Sequence, residues 1–436
     1  MYKVDNYING KSCSISTQSS PIINPSYGRE IGEVHYATTE SANLAVESAY
    51  EAAKSWSKTG LTYRAELILK FRQSVIDRSS EIIDICINEA GKTKPDAEAE
   101  LDRAIQALTH VAGIQHFYPT HFSQNVAGGI DIADLRFPIG VVAGVGPFNF
   151  PILIPILHSS MALVTGNTYI AKPSEKVPSI SRLYADIYED IGLPNGCFNV
   201  INGNKEIVEL LVRHEKVNGL AFIGSTVAAK SLKILGVEHN TKVQALGGGR
   251  NHMIVLPDAD LDMSADAAVS ASFGAAGQRC MAVSVVVAVG EIADELLDKI
   301  KERMPSLVMG VTDDDETQLG PVISQENKDK IYSFIESAEP DGATLVVDGR
   351  IRSNSLEGCF VGPTLIDNVK PGMAVYENEI FGPVLSFVRA DTYDEAMKIT
   401  HSHNLGNGAA LFTRDGGVAT PPSRVNKAAP FPKLCE

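Results

Sequence analysis

The sequence lacks a run long and apolar enough to span a bilayer. Its longest apolar stretch, around Pro151 to Val164, is interrupted by His158, Ser159 and Ser160, whereas a span needs about 20 mostly apolar residues. No apolar signal core follows Met1-Tyr2-Lys3-Val4-Asp5, so a cytoplasmic enzyme with no membrane partner is expected. Cysteine is scarce and scattered: Cys13, Cys86, Cys197, Cys280, Cys359 and Cys435 in 436 residues. Without a Cys-x-x-Cys pair or a Cys/His cluster, neither a disulfide scaffold nor a zinc site is expected, and the predicted metal content is none. Positive charge is also short. Lys and Arg number 38 against 53 Asp and Glu, a net −15, which argues against nucleic acid as a partner because phosphate binding needs a basic face. Low-complexity tracts and internal repeats are missing too.

What the chain has is length and alternation. At 436 residues it exceeds one ordinary core, so two or more domains are expected. Thr38 to about Ala90 and Asp96 to about Val111 carry helical spacing. Phe117 to Ile132, with Pro119 and Gly128-Gly129, reads as a β-hairpin or arm. Short apolar runs then alternate with helical stretches. Strands are predicted at Gly140–Val145, Thr168–Ala171, Cys197–Ile201, Leu220–Ile223 and Val243–Leu246. After Gly247-Gly248-Gly249 the alternation restarts, with strands at His252–Leu256 and Ser284–Val289 and helices at Ser264–Ala275 and Ala293–Met304. Such alternation implies α/β architecture, with parallel sheets covered by helices on both faces. Nucleotides favour the carboxyl ends of these strands.

Several segments carry chemistry. In Gly277-Gln278-Arg279-Cys280 an arginine adjoins a cysteine, and nearby positive charge favours the nucleophilic thiolate. The alternative is a buried cysteine acting as a small apolar filler. Gly146-Pro147-Phe148-Asn149-Phe150-Pro151 follows a strand and holds one amide side chain between two prolines. Asn149 could donate to a developing oxyanion or simply serve a turn. Lys172-Pro173-Ser174-Glu175 and Gly224-Ser225-Thr226 also follow strands. Lys172 and Glu175 could bond ribose hydroxyls, and Ser225 with helix amides could take a pyrophosphate; caps and turns are the plainer reading.

Taken together and in this order, with Glu379-Ile380-Phe381-Gly382-Pro383, these motifs resemble those of the aldehyde dehydrogenase superfamily. The resemblance covers Met1 to about Gly417. It implies two doubly wound parallel-sheet domains and a β-hairpin oligomerisation arm. Residues 1–116 and 137–246 would form the dinucleotide-binding domain, 117–136 the arm and 247–417 an incomplete catalytic domain. It implies Cys280 as nucleophile, with Asn149 and the Cys280 amide as oxyanion hole. Lys172, Glu175, Ser225, Phe148, Glu379 and Phe381 would hold NAD. Ala229 departs from the glycine of many relatives, a mild change.

Hydrolytic members place a glutamate where this chain has Ala245 or Leu246, and no carboxylate lies between Glu238 and Asp258. Without that base water is a poor nucleophile, while a thiol is already a few per cent ionised at neutral pH. Gln244-Ala245, Asn251-His252 and Phe273 to Ala282 resemble the coenzyme A-acylating methylmalonate-semialdehyde dehydrogenases. That resemblance implies oxidation of a small-molecule malonate or methylmalonate semialdehyde to acetyl- or propionyl-CoA, with loss of carbon dioxide. Arg279, and Arg103 on a poorer flanking match, would hold the substrate carboxylate, for which a guanidinium fork is suited. For Arg103 the alternative is a surface helix charge.

Beyond Gly417 the chain departs from this pattern. Four prolines without periodicity, from Pro421 to Pro432, predict an aberrant, disordered tail over 418–436. The expected homo-oligomer is therefore in doubt, since a missing strand exposes a sheet edge. Two competing readings stand beside the acylating one: a hydrolytic aldehyde dehydrogenase with another base, and a non-catalytic cofactor-binding remnant.

Overall fold

Runs of β-branched and small apolar residues form the buried strands, and amphipathic stretches between them form the helices. The structure, a computed structural model, describes residues 1–118, 120–353 and 356–419. The chain forms two compact units. The first contains Met1–Ile23, Glu30–Ala90 and Ala97–Ala245; the second contains Asn24–Arg29, Gly91–Asp96 and the chain from Leu246.

The first unit is built on a seven-stranded sheet. Its order is Lys242–Leu246, Val217–Ile223, Val141–Val145, Thr168–Lys172, Phe198–Val200, Asn6–Ile8 and Lys11–Cys13. From Val217–Ile223 to Phe198–Val200 the strands run parallel. Val141, Ala143, Val145, Ile170, Leu220 and Phe222 bury their side chains in its core. Register matters here: Phe222 lies opposite Val145, and Val145 opposite Lys172. Three neighbouring strands therefore end level at their carboxyl ends, and the loops that follow them lie side by side.

The sheet is not wholly parallel. The amino-terminal hairpin adds two antiparallel strands at one edge. Strands of three residues show no usable periodicity, but the turn between them has a readable signal. Asn9 (φ 51°) and Gly10 (φ 76°) both occupy the left-handed region, as an Asn-Gly hairpin turn requires. The second hairpin, Phe122–Ala127 with Ile130–Ala133, forms where the sequence predicts it and exposes every residue.

One buried carboxylate in this unit makes stability depend on pH. Glu89 is fully buried and accepts hydrogen bonds from the Tyr2 hydroxyl and, at 3.2 Å, from the Ser179 amide. It thereby caps the helix Ser179–Asp190, whose own preceding residue, Pro178, offers no side-chain cap. Burial raises its pKa from 4.5 to about 7. A raised native pKa means the folded state binds the proton more tightly. The contribution is full below pH 4.5, fades as pH rises from 4.5 to 7, and stays lost above. We expect Glu89→Gln to raise the melting temperature at pH 8 by roughly 5 °C, with little change at pH 4.5. Melting curves at both pH values check this; equal shifts at both would refute the assignment.

The second unit holds a six-stranded sheet in the order Thr344–Val347, Thr364–Asp367, Val384–Ala390, Val283–Val289, Asn251–Val255 and Ala409–Phe412. All neighbours are parallel except the pair Thr344–Val347 and Thr364–Asp367. Val285 to Val289 are buried, as expected for a strand covered on both faces. One boundary differs from expectation. The helix predicted to reach Ala275 is Leu261–Phe273, because Ala275 (φ 50°, ψ 38°) and Ala276 (φ 54°, ψ 33°) turn left-handed. At the other end, Gly416–Ala419 forms a turn of helix, which corrects the tail boundary predicted at residue 418. The rest of the predicted tail, 420–436, lies outside the described residues.

Candidate active site

In the first unit the candidate residues follow the three level strands. Asn149 sits in the turn after Val141–Val145 and is 7 % exposed. That turn is pinned at both ends. The Gly146 amide donates to the Lys172 carbonyl at 3.0 Å. The Ile152 and Leu153 amides both donate to Glu100 Oε1 at 2.8 Å. Glu100, buried on the helix Lys94–Ala112, thus caps the helix Leu153–Val164 that follows Asn149. Sequence reasoning missed it, since nothing local links residues 52 and 53 positions apart.

Lys172 ends the next strand, buried, with its Nζ 3.6 Å from Glu175. Burial pulls the ammonium's pKa down and the Glu175 charge partly restores it. Ser225 follows the third strand and caps the helix Thr226–His239, accepting from the Ala228 amide at 3.3 Å. The donor set at this end of the sheet suits a dinucleotide: helix-opening amides for phosphate, a cation and a carboxylate for hydroxyls.

In the second unit the loop leading to Cys280 is tightly determined. Ala275, Ala276 and Gly277 (φ 69°) are consecutive left-handed residues, and the chain then reaches Cys280. A Cβ on Gly277 would lie 2.2 Å from the Gly382 carbonyl oxygen, so the Gly277–Cys280 and Phe381–Pro383 segments touch. Phe381 is itself left-handed at φ 56°. Gln278 is buried and accepts from the Ile323 amide at 2.9 Å. Asn251 joins three segments. Its Nδ2 donates to the carbonyls of Cys280 and Ala282, both at 2.8 Å, and its Oδ1 accepts from the Gly408 amide at 2.8 Å. The Cys280 loop is thereby tied to the entry of the edge strand Ala409–Phe412. Cys280 is partly exposed.

Glu379 packs against the triple-glycine segment. It accepts from the Gly249 amide at 3.0 Å, and a Cβ on Gly248 would lie 2.0 Å from its Oε2. Burial raises its pKa, opposed by the Gly249 hydrogen bond and by the charges of Lys330 and Arg250. Arg250 is 1 % exposed, with Nη2 donating to the Val375 carbonyl and, at 3.0 Å, to the Ser386 hydroxyl. Burial lowers its pKa to about 10.

The two arginines have different settings. Arg103 is exposed on the helix Lys94–Ala112 and donates to Gln106 at 3.0 Å. Arg279 is partly exposed and paired with Asp96. At the place of the missing hydrolytic base, Ala245 is buried and Leu246 is exposed; neither can take a proton. Among the described residues, no group of three or more His, Cys, Asp or Glu could hold a metal, and no helix is long and apolar enough to cross a membrane.

The chain matches the aldehyde dehydrogenase family over residues 13–424. It is 38 % identical over 415 residues to malonate-semialdehyde dehydrogenase of Halalkalibacterium halodurans, covering 95 % of this chain and 86 % of that protein. A counterpart from Geobacillus kaustophilus is 39 % identical over 410 residues, covering 94 % and 85 %. Methylmalonate-semialdehyde dehydrogenase of Oceanimonas doudoroffii superposes with a TM-score of 0.95 at 39 % identity, covering 98 % of this chain and 88 % of that one. A Sinorhizobium meliloti protein assigned to the same enzyme, solved with NAD, superposes with a TM-score of 0.93 at 40 % identity, covering 96 % and 86 %.

Proposed function

Because this chain belongs to the aldehyde dehydrogenase family, we propose that it oxidises malonate or methylmalonate semialdehyde and passes the acyl group to coenzyme A. The observation that carries the acylating reading is the pair Ala245 and Leu246, one buried and one exposed, where a hydrolytic enzyme needs a carboxylate. The names of the similar proteins support the substrate class.

Cys280 releases its proton to solvent and the thiolate attacks the aldehyde carbon, forming a hemithioacetal whose oxygen carries the negative charge. Asn149 and the Cys280 amide stabilise the oxyanion. Lys172, Glu175 and Ser225 hold the adenosine half of NAD, Glu379 and Phe381 its nicotinamide end, and Phe148 also binds the cofactor. When bound, the nicotinamide supplies the acceptor for the hydride leaving that carbon. A Cys280 thioester results. Loss of carbon dioxide leaves a carbanion equivalent that takes a proton from solvent; the coenzyme A thiol then attacks the thioester carbon, its C–S bond replacing that of Cys280, and its proton goes to the departing Cys280 thiolate. Arg279 and Arg103 hold the substrate carboxylate. The exposed hairpin serves as the arm of a homo-oligomer, and the enzyme acts in the cytoplasm.

NADH absorbance with malonate semialdehyde tests this. Without coenzyme A we expect a burst near one equivalent per site and then little turnover; with it, a sustained rate. An equal steady rate without coenzyme A would favour the hydrolytic reading.

A further inference from the structure

Arg279 has a partner at a great distance along the chain. Asp96, 183 positions earlier, accepts from Arg279 Nη2 through Oδ1. Its other oxygen is occupied as well: Oδ2 accepts from the Ala275 amide and from the Thr93 hydroxyl, each at 3.1 Å. Asp96 lies in the first turn of its helix, and its own amide approaches Thr93 Oγ1 at 3.4 Å. The carboxylate cannot turn without giving up at least one of these bonds. It also holds the first residue of the left-handed turn that leads to Cys280.

On another side the guanidinium meets Gly274. A Cβ there would lie 2.6 Å from Nη1 and 3.0 Å from Cζ. The Arg279 head is thus confined between a fixed carboxylate and a missing side chain, yet its side chain stays 34 % exposed while that of Asp96 is 15 % exposed. A guanidinium has five N–H donors, so one bond to Asp96 leaves donors for a second anion.

We propose that Asp96 is a positioning residue that sets substrate specificity, fixing the Arg279 fork so that its exposed edge receives the substrate carboxylate. This rests on the reading of Arg279 as a carboxylate holder. An isolated arginine would move among many rotamers and meet each substrate at an ordering cost; an anchored one presents its fork ready-made. Three donors on Asp96 disperse its charge, which limits repulsion of the incoming anion.

The measured quantity is the ratio of kcat/KM for malonate semialdehyde to that for propanal, an aldehyde without a carboxylate. A purely structural ion pair would affect both substrates alike and leave the ratio unchanged. Asp96→Asn is expected to lower the ratio about tenfold, mainly through KM for the semialdehyde. Arg279→Met should lower it further, and adding Asp96→Asn to Arg279→Met should then change nothing more. An unchanged ratio in Asp96→Asn, or a raised one, as for an internal anion competing with substrate, overturns the proposal. An unchanged ratio in Arg279→Met removes the Arg279 reading itself and the proposal with it. Should Asp96→Asn not fold, Thr93→Val removes one anchor and keeps the ion pair; a smaller fall in the same direction is then expected, and no fall overturns the proposal.

Discussion

Replacing Cys280 with alanine is expected to stop NADH formation with every aldehyde, a loss on the order of a millionfold, the scale seen when a covalent nucleophile is deleted. The reason lies in the surroundings of the described cysteines. Cys86, Cys197 and Cys359 are buried, while Cys13 and Cys280 are partly exposed. Burial pushes the Cys197 thiol up to about 12, so it holds almost no thiolate at neutral pH. Cys13 ends an edge strand of the first unit's sheet. Cys280 alone among these five follows a turn held by Gln278, Asn251 and Gly277. NADH absorbance together with NAD binding makes the test specific: binding should persist while turnover disappears. Turnover in the variant would remove the thiol mechanism.

The second large effect comes from a single methyl group. Gly277→Ala places a Cβ 2.2 Å from the Gly382 carbonyl oxygen and 2.5 Å from its carbon, at a φ of +69°. Both obstacles are backbone, so no side-chain rotation relieves them. The segment bearing Cys280 must separate from the one bearing Phe381. A displacement of about 1 Å in a catalytic group can cost on the order of a hundredfold, and we expect kcat to fall by at least that much. Cys280 should still react with iodoacetamide, because the thiol itself remains. Steady-state kinetics alongside timed alkylation separates misplacement from loss. A kcat within severalfold of the parent would show that the two segments part freely without consequence.

Much of this architecture was legible in the sequence. Buried runs such as Val283–Val289 announce covered strands, and Lys172 and Ser225 fall at or just after strand ends, where the alternation puts them. What escaped was contact between distant positions. Asn251 reaches Cys280 across 29 residues and Asp96 reaches Arg279 across 183, and no periodic pattern encodes such pairs. The end of the helix before Cys280 escaped for a different reason. Alanine is the best helix former, so Ala275 reads as helix until packing forces it and its neighbour Ala276 otherwise. The amino-terminal hairpin had its Asn-Gly signal, obscured by strands of three residues each.

Those two alanines have a further consequence. Glycine would adopt their left-handed conformation without strain, whereas an L-residue there costs about 1–2 kcal/mol. Yet glycine loses more conformational freedom on folding than any other residue, and a glycine-rich approach to Cys280 would sample many shapes once locally opened. Alanine narrows that choice in the unfolded and opened chain alike. At positive φ the strain outweighs that narrowing, so the segment before the thiol keeps its order through what grips it: the Asp96 carboxylate on the Ala275 amide and the close backbone approach at Gly277.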